Sequence, residues 1–295
     1  MLRAAMELQP TNRRVRVGPV TLQVQEWDEA GVRQPADVAV FSHPTGFLGP
    51  VWLPLLGRLR AGGFGGRILT YDQRGHGLSS KPDDGYHWQS FVDDARALFR
   101  ALGIDRAVGI GHSAGATVLA CTAALDPGRF RRLVMIDPIL FEPAFHETFR
   151  SSENTMAKRT RSRRLVWSSR REIFDSYRSR EPYSTWTAEA LSAYIEHGTF
   201  ERPDGEIELL CPGRIEARVY EHSASIDGFG HLERLDIPVL LVRGEHSGSF
   251  DAARADRALG CLRKGRLVTV EGTTHYVPME RPDEVAALVL EQISA

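Results

Sequence analysis

The sequence predicts an α/β fold in which a mostly parallel, doubly wound sheet carries an inserted helical cap. Short apolar runs typical of buried parallel strands alternate with helical patterns up to residue 140 and again after residue 232. In between, buried-strand patterns are missing, and arginine, serine, glutamate, tyrosine and tryptophan become frequent. We therefore expect the first part of the core in residues 1–140, the cap in residues 141–231 and the second part of the core in residues 232–295.

Each expected element depends on a local pattern. Alternating side chains over residues 15–27, interrupted by Gly18-Pro19, predict a hairpin at the sheet edge, and a polar loop over residues 28–37 follows it. Continuous apolar runs predict buried strands at residues 38–41, 67–71, 107–110, 132–136, 238–242 and 266–270. Helical spacing predicts helices at residues 51–59, 88–102, 114–125, 147–168, 171–180, 187–197, 252–262 and 282–293.

Composition limits the classes of protein that fit. The 295 residues are 42% hydrophobic and 25% charged, as in ordinary globular proteins, and a net charge of −1 predicts no general attraction to nucleic acid or to a membrane surface. The three cysteines show neither disulfide nor metal-ligand spacing. Residues 1–10 lack the apolar stretch of a signal peptide, and no run of about 18 apolar residues occurs, so a cytoplasmic location is the default expectation.

The stretch Gly111-His112-Ser113-Ala114-Gly115 connects a predicted strand to a predicted helix. A turn this sharp leaves little room for side chains two residues before and two residues after its centre, and glycine occupies both positions. Its strained backbone would lift the Ser113 hydroxyl above the sheet, at the positive end of the following helix. We therefore interpret Ser113 as a nucleophile.

Three further pieces lie where such an enzyme needs them: a glycine-rich turn with an internal Asp72/Arg74 pair, the stretch His43-Pro44-Thr45-Gly46 after an early strand, and His275 after the last strand. Together with the sharp turn at Ser113, which we call the elbow, they resemble the α/β-hydrolase superfamily. The resemblance covers nearly the whole chain and is weakest in the cap. The resemblance implies a serine hydrolase that needs no cofactor, with His275 as the general base. It also implies an oxyanion hole formed by the backbone N–H groups of Ala114 and Thr45.

The acid that would orient His275 is where the sequence departs from the common pattern. Most relatives have an aspartate shortly after the strand that corresponds to residues 239–242, but here Ser247 and Gly248 stand in the usual places. Another branch, which includes haloalkane dehalogenases, has the acid after the strand that follows the elbow helix. We favour Asp137, which stands there and which Pro138 is expected to hold in extended backbone geometry. The alternatives left open are Glu245, Asp251 and the absence of an acid.

The expected cap contains a basic run, which we interpret mainly as a solvated helix face rather than as a site for an anionic substrate. The run comprises Lys158, Arg159, Arg161, Arg163, Arg164, Arg170 and Arg171. A set of aromatic side chains could line an apolar pocket, although aromatic residues at helical spacing more often form a local core. The set comprises Trp88, Tyr177, Tyr183, Trp186, Tyr194 and Phe200.

The expected function is hydrolysis of a small ester, lactone or related carbonyl compound through an acyl-Ser113 intermediate. The same residues would support carbon–carbon bond hydrolysis or acyl transfer. Serine at the elbow argues against dehalogenase and epoxide hydrolase chemistry, which in this fold uses a carboxylate nucleophile. A member of the fold that binds a small ligand without catalysis is the alternative from another class, favoured by the missing acid after residue 242. Substrate identity and oligomeric state are left open.

Overall fold

A computed structural model describes residues 9–27, 37–150 and 154–295. Within them, eight strands form one sheet in the order β1-β2-β4-β3-β5-β6-β10-β11, and three short strands form a second sheet in the order β7-β9-β8. The strands are β1 (Thr11–Val17), β2 (Val20–Glu26), β3 (Val38–Ser42), β4 (Arg67–Tyr71), β5 (Ala107–His112), β6 (Phe130–Ile136), β7 (Val166–Trp167), β8 (Thr199–Glu201), β9 (Ile207–Leu209), β10 (Val239–Gly244) and β11 (Gly265–Val270). The α-helices are α1 (Leu53–Ala61), α2 (Trp88–Ala101), α3 (Ala114–Leu125), α4 (His146–Arg150), α5 (Thr155–Arg161), α6 (Arg170–Arg178), α7 (Ala188–His197), α8 (Gly213–Glu221), α9 (Gly228–Leu232), α10 (Ala252–Cys261), α11 (Val277–Glu280) and α12 (Pro282–Ser294). Short 3-10 helices span Gly49–Trp52, Pro143–Phe145 and Tyr183–Thr185.

The large sheet is mostly parallel, as the sequence predicts. β1 and β2 form the expected antiparallel hairpin at one edge, β2 runs antiparallel to β4, and the remaining neighbours run parallel. Successive side chains of a central strand enter different cores: Leu133 and Met135 lie on one face, and Val134 and Ile136 lie on the other. Helices α2, α3 and α10 contribute to the first core and α1 and α12 to the second, so the central strands are buried on both faces.

The predicted core elements have observed counterparts whose ends differ by a few residues at most. The helix after the elbow ends at Leu125, as expected. The polar loop predicted over residues 28–37 lies outside the described residues, except for Asp37. Across residues 9–27, 37–150 and 154–295, no helix combines the length and the apolar character needed to cross a lipid bilayer.

The residues between β6 and β10 are mostly helical but depart from two expectations. The single helix predicted over residues 147–168 is wrong, because Asn154 has extended backbone and α5, which begins at Thr155, ends at Arg161. The Asn154 side chain accepts a hydrogen bond from the N–H of Ala157 and caps the new helix. The antiparallel sheet of β7, β9 and β8 is also unexpected, since strands of two or three residues are too short to show an alternation of side chains.

Candidate active site

Ser113 lies on the sharp turn between β5 and α3, as the sequence predicts. Its backbone has a φ of +55° and a ψ of −124°, a conformation that residues other than glycine rarely adopt. The flanking glycines are required sterically, because a Cβ at Gly111 would lie 2.5 Å from Cα of Ala116, and a Cβ at Gly115 would clash with the carbonyl oxygen of Ser42. The turn therefore holds the hydroxyl beyond the carboxyl end of the strand, next to the positive end of α3.

Three side chains that the sequence singles out meet at this edge of the sheet. His275, in the loop after β11, has its Nε2 3.0 Å from Oγ of Ser113. Its Nδ1 lies 2.5 Å from Oδ1 of Asp137, which follows β6. When Nδ1–H donates to the carboxylate, Nε2 presents its lone pair to the Ser113 hydroxyl, which is the arrangement that a general base needs.

Asp137 is fully buried and receives hydrogen bonds from β10 and the loop after it. The N–H of Gly244 donates to Oδ2 at 3.1 Å, and Oγ of Ser247 donates to Oδ1 at 2.7 Å. The expectation of extended backbone before Pro138 is wrong, since φ at Asp137 is +43°. Aspartate tolerates this left-handed region better than most residues, and the backbone N–H of Asp137 is fixed by the carbonyl oxygen of Val242 at 2.7 Å.

The two other acids that the sequence left open lie away from the imidazole. Oε2 of Glu245 accepts a hydrogen bond from the N–H of Gly272 at 2.8 Å, and this side chain is 45% exposed. Asp251 caps α10 by accepting from the N–H of Arg254 at 2.8 Å. In the described part of the chain, neither carboxylate is a hydrogen-bond partner of His275.

Two serines of the loop after β10 also belong to the site, although sequence reasoning assigned them no role. Ser247 stands where the common pattern has aspartate, and here its hydroxyl binds the carboxylate that comes from the neighbouring strand. Oγ of Ser249 lies 2.9 Å from Nδ1 of His275. The serine in place of the usual acid was the sequence signal for an acid elsewhere, whereas no local pattern points to Ser249.

The two residues expected to form an oxyanion hole lie close to Ser113. Thr45 lines the same cavity as Ser113, and Ala114 directly follows Ser113 at the start of α3. Within the described residues, neither backbone N–H donates to a protein acceptor. The next residue differs, because the N–H of Gly46 donates to Nε2 of His76 at 3.0 Å. His76 thus anchors the loop that carries Thr45.

A cavity of about 220 Å³ opens onto Ser113 and His275. Its wall is largely apolar and aromatic, and the residues concerned are Pro44, Phe47, Trp88, Ile139, Phe141, Phe149, Met156, Tyr220 and Tyr276. The remaining polar residues of the wall are Thr45, Asn154, Ser223 and Ser249. Among the described residues that line it, none is lysine, arginine, aspartate or glutamate. Such a cavity suits a small, largely apolar molecule.

Comparison with known proteins places the chain in a family. It matches the family model described as "Alpha/beta hydrolase family" over residues 39–288. The chain belongs to the alpha/beta hydrolase family. The hydrolase is 29% identical to 2-(acetamidomethylene)succinate hydrolase of Mesorhizobium japonicum over 291 residues, which cover 96% of this chain and 95% of that protein. It is 24% identical to Esterase YbfF of Escherichia coli over 227 residues, covering 74% of this chain and 79% of that protein.

Solved structures show the same relationship. The crystal structure of E-2-(acetamidomethylene)succinate hydrolase superposes with a TM-score of 0.82 and 27% identity, covering 97% of this chain and all 100% of that one. The enol-lactonase from Burkholderia xenovorans LB400 shares the fold, with a TM-score of 0.72 and 20% identity over 96% of this chain and 100% of that one. The relatives include named hydrolases and esterases, so the chain is an enzyme of the α/β-hydrolase type.

Further histidines of the hydrolase order the backbone around the site. Nδ1–H of His43 donates to the carbonyl oxygen of the next residue at 2.8 Å, and its Nε2 accepts from the N–H of Gln73 at 2.9 Å. Nε2–H of His112 donates to the carbonyl oxygen of His275 at 2.8 Å. Burial lowers the pKa of His43 and of His112 well below the usual value and lowers the pKa of His76 to about 4. These three imidazoles are therefore neutral at neutral pH.

The glycine-rich turn after β4 is held differently from the expectation. Arg74 does not pair with Asp72 but forms a buried ion pair with Asp94 of α2 at 2.7 Å. Asp72 instead accepts hydrogen bonds from the N–H groups of Gly49 at 2.8 Å and Leu78 at 2.9 Å. The two charged residues brace the turn separately, against the start of a 3-10 helix and against α2.

The basic run of the expected cap is mostly engaged on the surface. Exposed or half-exposed ion pairs join Arg161 to Glu221, Arg164 to Glu172 and Arg171 to Asp175. Arg163 is the exception to the interpretation of a solvated face, because its side chain is only 17% exposed and lies 2.7 Å from Glu216. Glu216 in turn packs against Gly46, where a Cβ would come within 2.5 Å of its Oε1. The buried ion pair of Arg163 and Glu216 therefore connects the basic run to the loop that carries Thr45.

The six aromatic residues of the set separate into three parts: one lies at the cavity, one lies on the surface and four lie in a core. Trp88 lines the cavity beside Ser113, whereas Phe200 is 41% exposed. The rings of Tyr177 and Tyr183 stack with centroids 4.3 Å apart, and the remaining aromatic residues of the set join them in the second core. Most of the set therefore forms a local core.

Proposed function

We propose that this hydrolase cleaves a small ester, lactone or related carbonyl substrate through an acyl-Ser113 intermediate. The observation that supports this most is the continuous chain of contacts from Asp137 through His275 to Ser113, with distances of 2.5 and 3.0 Å. As Oγ of Ser113 attacks the carbonyl carbon, His275 takes the hydroxyl proton and passes it to the leaving group, while Asp137 stabilises the imidazolium. His275 then takes a proton from water, which attacks the acyl group, releases the acid and restores Ser113.

The charge that develops on the carbonyl oxygen needs donors that are already in place. In the proposal, the N–H groups of Thr45 and Ala114 supply them, each worth about 3 kcal/mol by comparison with single oxyanion donors in other enzymes. The fixed position of the loop through Gly46 and His76 supports this assignment. The positive end of α3 adds to the stabilisation.

The proposed substrate is uncharged near the scissile bond. The cavity is small and apolar, and its described wall contains no lysine or arginine that would pair with a carboxylate. The Mesorhizobium japonicum relative is named for a succinate derivative, and we propose that this chain prefers a less polar compound. We also propose that residues 141–231 form a cap over the cavity, because Phe149, Met156 and Tyr220 contribute to its wall.

A fluorophosphonate probe tests the nucleophile. We expect one covalent adduct per chain, mapped by mass spectrometry to Ser113, and an initial burst of product with a chromogenic short-chain ester. Ser113→Ala should lose both the adduct and the burst while keeping its thermal unfolding transition. An adduct at another residue, or equal labelling of Ser113→Ala, would overturn the proposal.

A further inference from the structure

Three histidines that the proposed reaction does not use come together outside the catalytic cavity. His87 precedes α2, His146 opens α4 and His222 follows α8. One ring nitrogen from each lies within 4.8 Å of the ring nitrogens of the other two. Nε2 of His146 is 3.2 Å from Nδ1 of His222, and the ring of His87 lies over that of His222 with centroids 3.9 Å apart.

This spacing resembles that of imidazoles that share one metal ion. Two nitrogens bound tetrahedrally to zinc at 2.0–2.1 Å are about 3.4 Å apart, which fits the pair formed by His146 and His222. The third nitrogen comes from His87, which is exposed and lies within 4.8 Å of the other two. A surface cavity of about 360 Å³ adjoins His87 and His222 and leaves room for a water molecule as the fourth ligand.

The electrostatic surroundings allow a cation without strongly favouring one. Arg150 and Arg218 line the cavity and oppose a cation, whereas Asp84 and Glu221 line it with the opposite charge, the latter paired with Arg161. Imidazole ligands without thiolates suit zinc, nickel and copper rather than magnesium or calcium.

We propose that His87, His146 and His222 form a binding site for one divalent transition-metal ion, such as Zn²⁺ or Ni²⁺. Each ligand is close in sequence to a residue of the catalytic cavity wall, respectively Trp88, Phe149 and Ser223. The ion therefore fastens α4, α8 and the start of α2 to one another and steadies three segments of that wall. Binding itself does not depend on the chemistry at Ser113.

Calorimetric titration of the chelator-treated, tag-free full chain with ZnCl₂, and separately with NiCl₂, tests the site. We expect one ion per chain, and Co²⁺ should give visible absorption bands typical of nitrogen coordination. His222→Gln and His87→Gln should each lose the one-site isotherm and the bands. His246→Gln, which changes an exposed histidine outside the site, should bind as the wild type does. Circular dichroism confirms that each variant is folded.

Hydrogen exchange then tests whether the bound ion stabilises α4, which carries His146. Zn²⁺ should slow exchange of the backbone amides of residues 146–150 in the wild type and leave them unchanged in His222→Gln. Equal binding by the wild type and His222→Gln, or binding lost only on His275→Gln, would overturn the proposal. Absence of saturable binding would also overturn it and would leave the three rings as an ordinary cluster of stacked, hydrogen-bonded histidines.

Discussion

Replacing Asp137 by asparagine is the sharpest test of how the site is built. The carboxylate accepts from Nδ1–H of His275 and from the hydroxyl of Ser247 on Oδ1, and from the N–H of Gly244 on Oδ2. An asparagine side chain has a single acceptor oxygen and a donor NH₂ in the same volume. If its oxygen faces Gly244, its NH₂ faces Nδ1 of His275 and favours the tautomer that carries hydrogen on Nε2. That tautomer cannot take the proton of Ser113.

The expected loss follows from this change of tautomer. In serine proteases the same substitution of the triad aspartate lowers kcat by about 10⁴, because the geometry survives but the base has the wrong tautomer. That factor corresponds to about 5.5 kcal/mol of transition-state stabilisation. We expect a decrease of about 10³ to 10⁴ in kcat/KM for Asp137→Asn, together with a folded chain.

Steady-state hydrolysis of a chromogenic acetate ester, with thermal unfolding as the folding control, measures the effect. Glu245→Gln and Asp251→Asn are matched controls, since the first residue is half-exposed and the second keeps a good helix cap as asparagine. Both should retain kcat/KM within about twofold. Small, comparable losses in all three variants would refute the assignment of Asp137, and a large loss in Glu245→Gln alone would transfer the role to the later loop.

Three further predictions concern the surroundings of the triad. Ser247→Ala removes a buried hydrogen bond to the carboxylate of Asp137, of a kind that contributes about 1.5–3 kcal/mol to stability, so we expect the free energy of unfolding to fall by about that amount, and an unchanged urea denaturation curve would contradict this. The free energy of unfolding should decrease as the pH falls below about 6.5, because the pKa values of His43, His76 and His112 are lowered in the fold and the unfolded chain then binds more protons. Each histidine contributes up to about 1.4 kcal/mol per pH unit, and urea denaturation that is independent of pH between about 7.5 and 5 would refute the effect. A neutral ester should be hydrolysed faster than its carboxylated analogue at about 0.02 M and at about 0.5 M salt, whereas a preference for the anionic ester that disappears at high salt would show steering by the basic run.

The parts of the molecule that could be predicted from the sequence follow local rules. The buried strands could be located because a strand covered on both faces needs a continuous apolar run. The elbow could be located because its steric demands select glycine at residues 111 and 115. Asp137 could be favoured because a branch of the superfamily has its acid after the strand that follows the elbow helix, and the structure places its carboxylate 2.5 Å from Nδ1 of His275.

The remaining features depend on contacts that no local rule encodes. The start of α5 depends on a side-chain cap, Asn154, inside a stretch with helical spacing. The left-handed backbone of Asp137 is stabilised by hydrogen bonds to β10, which lies about 100 residues later in the chain. The three-histidine cluster brings together residues from widely separated segments, so the spacing of these histidines along the sequence does not predict it.

The anchoring of Asp137 has a consequence for modular engineering of the enzyme. Its hydrogen bonds run to Val242, Gly244, Ser247 and His275, all of which follow the segment 141–231 in the chain. The acid is therefore held by the core, even though the chain leaves the core only a few residues after it. A chimera that exchanges residues 141–231 for the corresponding segment of a relative should therefore keep the contacts of Asp137 with His275 and with the loop after β10. Under the proposed function, such an exchange would change the substrate range without rebuilding the residues proposed for catalysis.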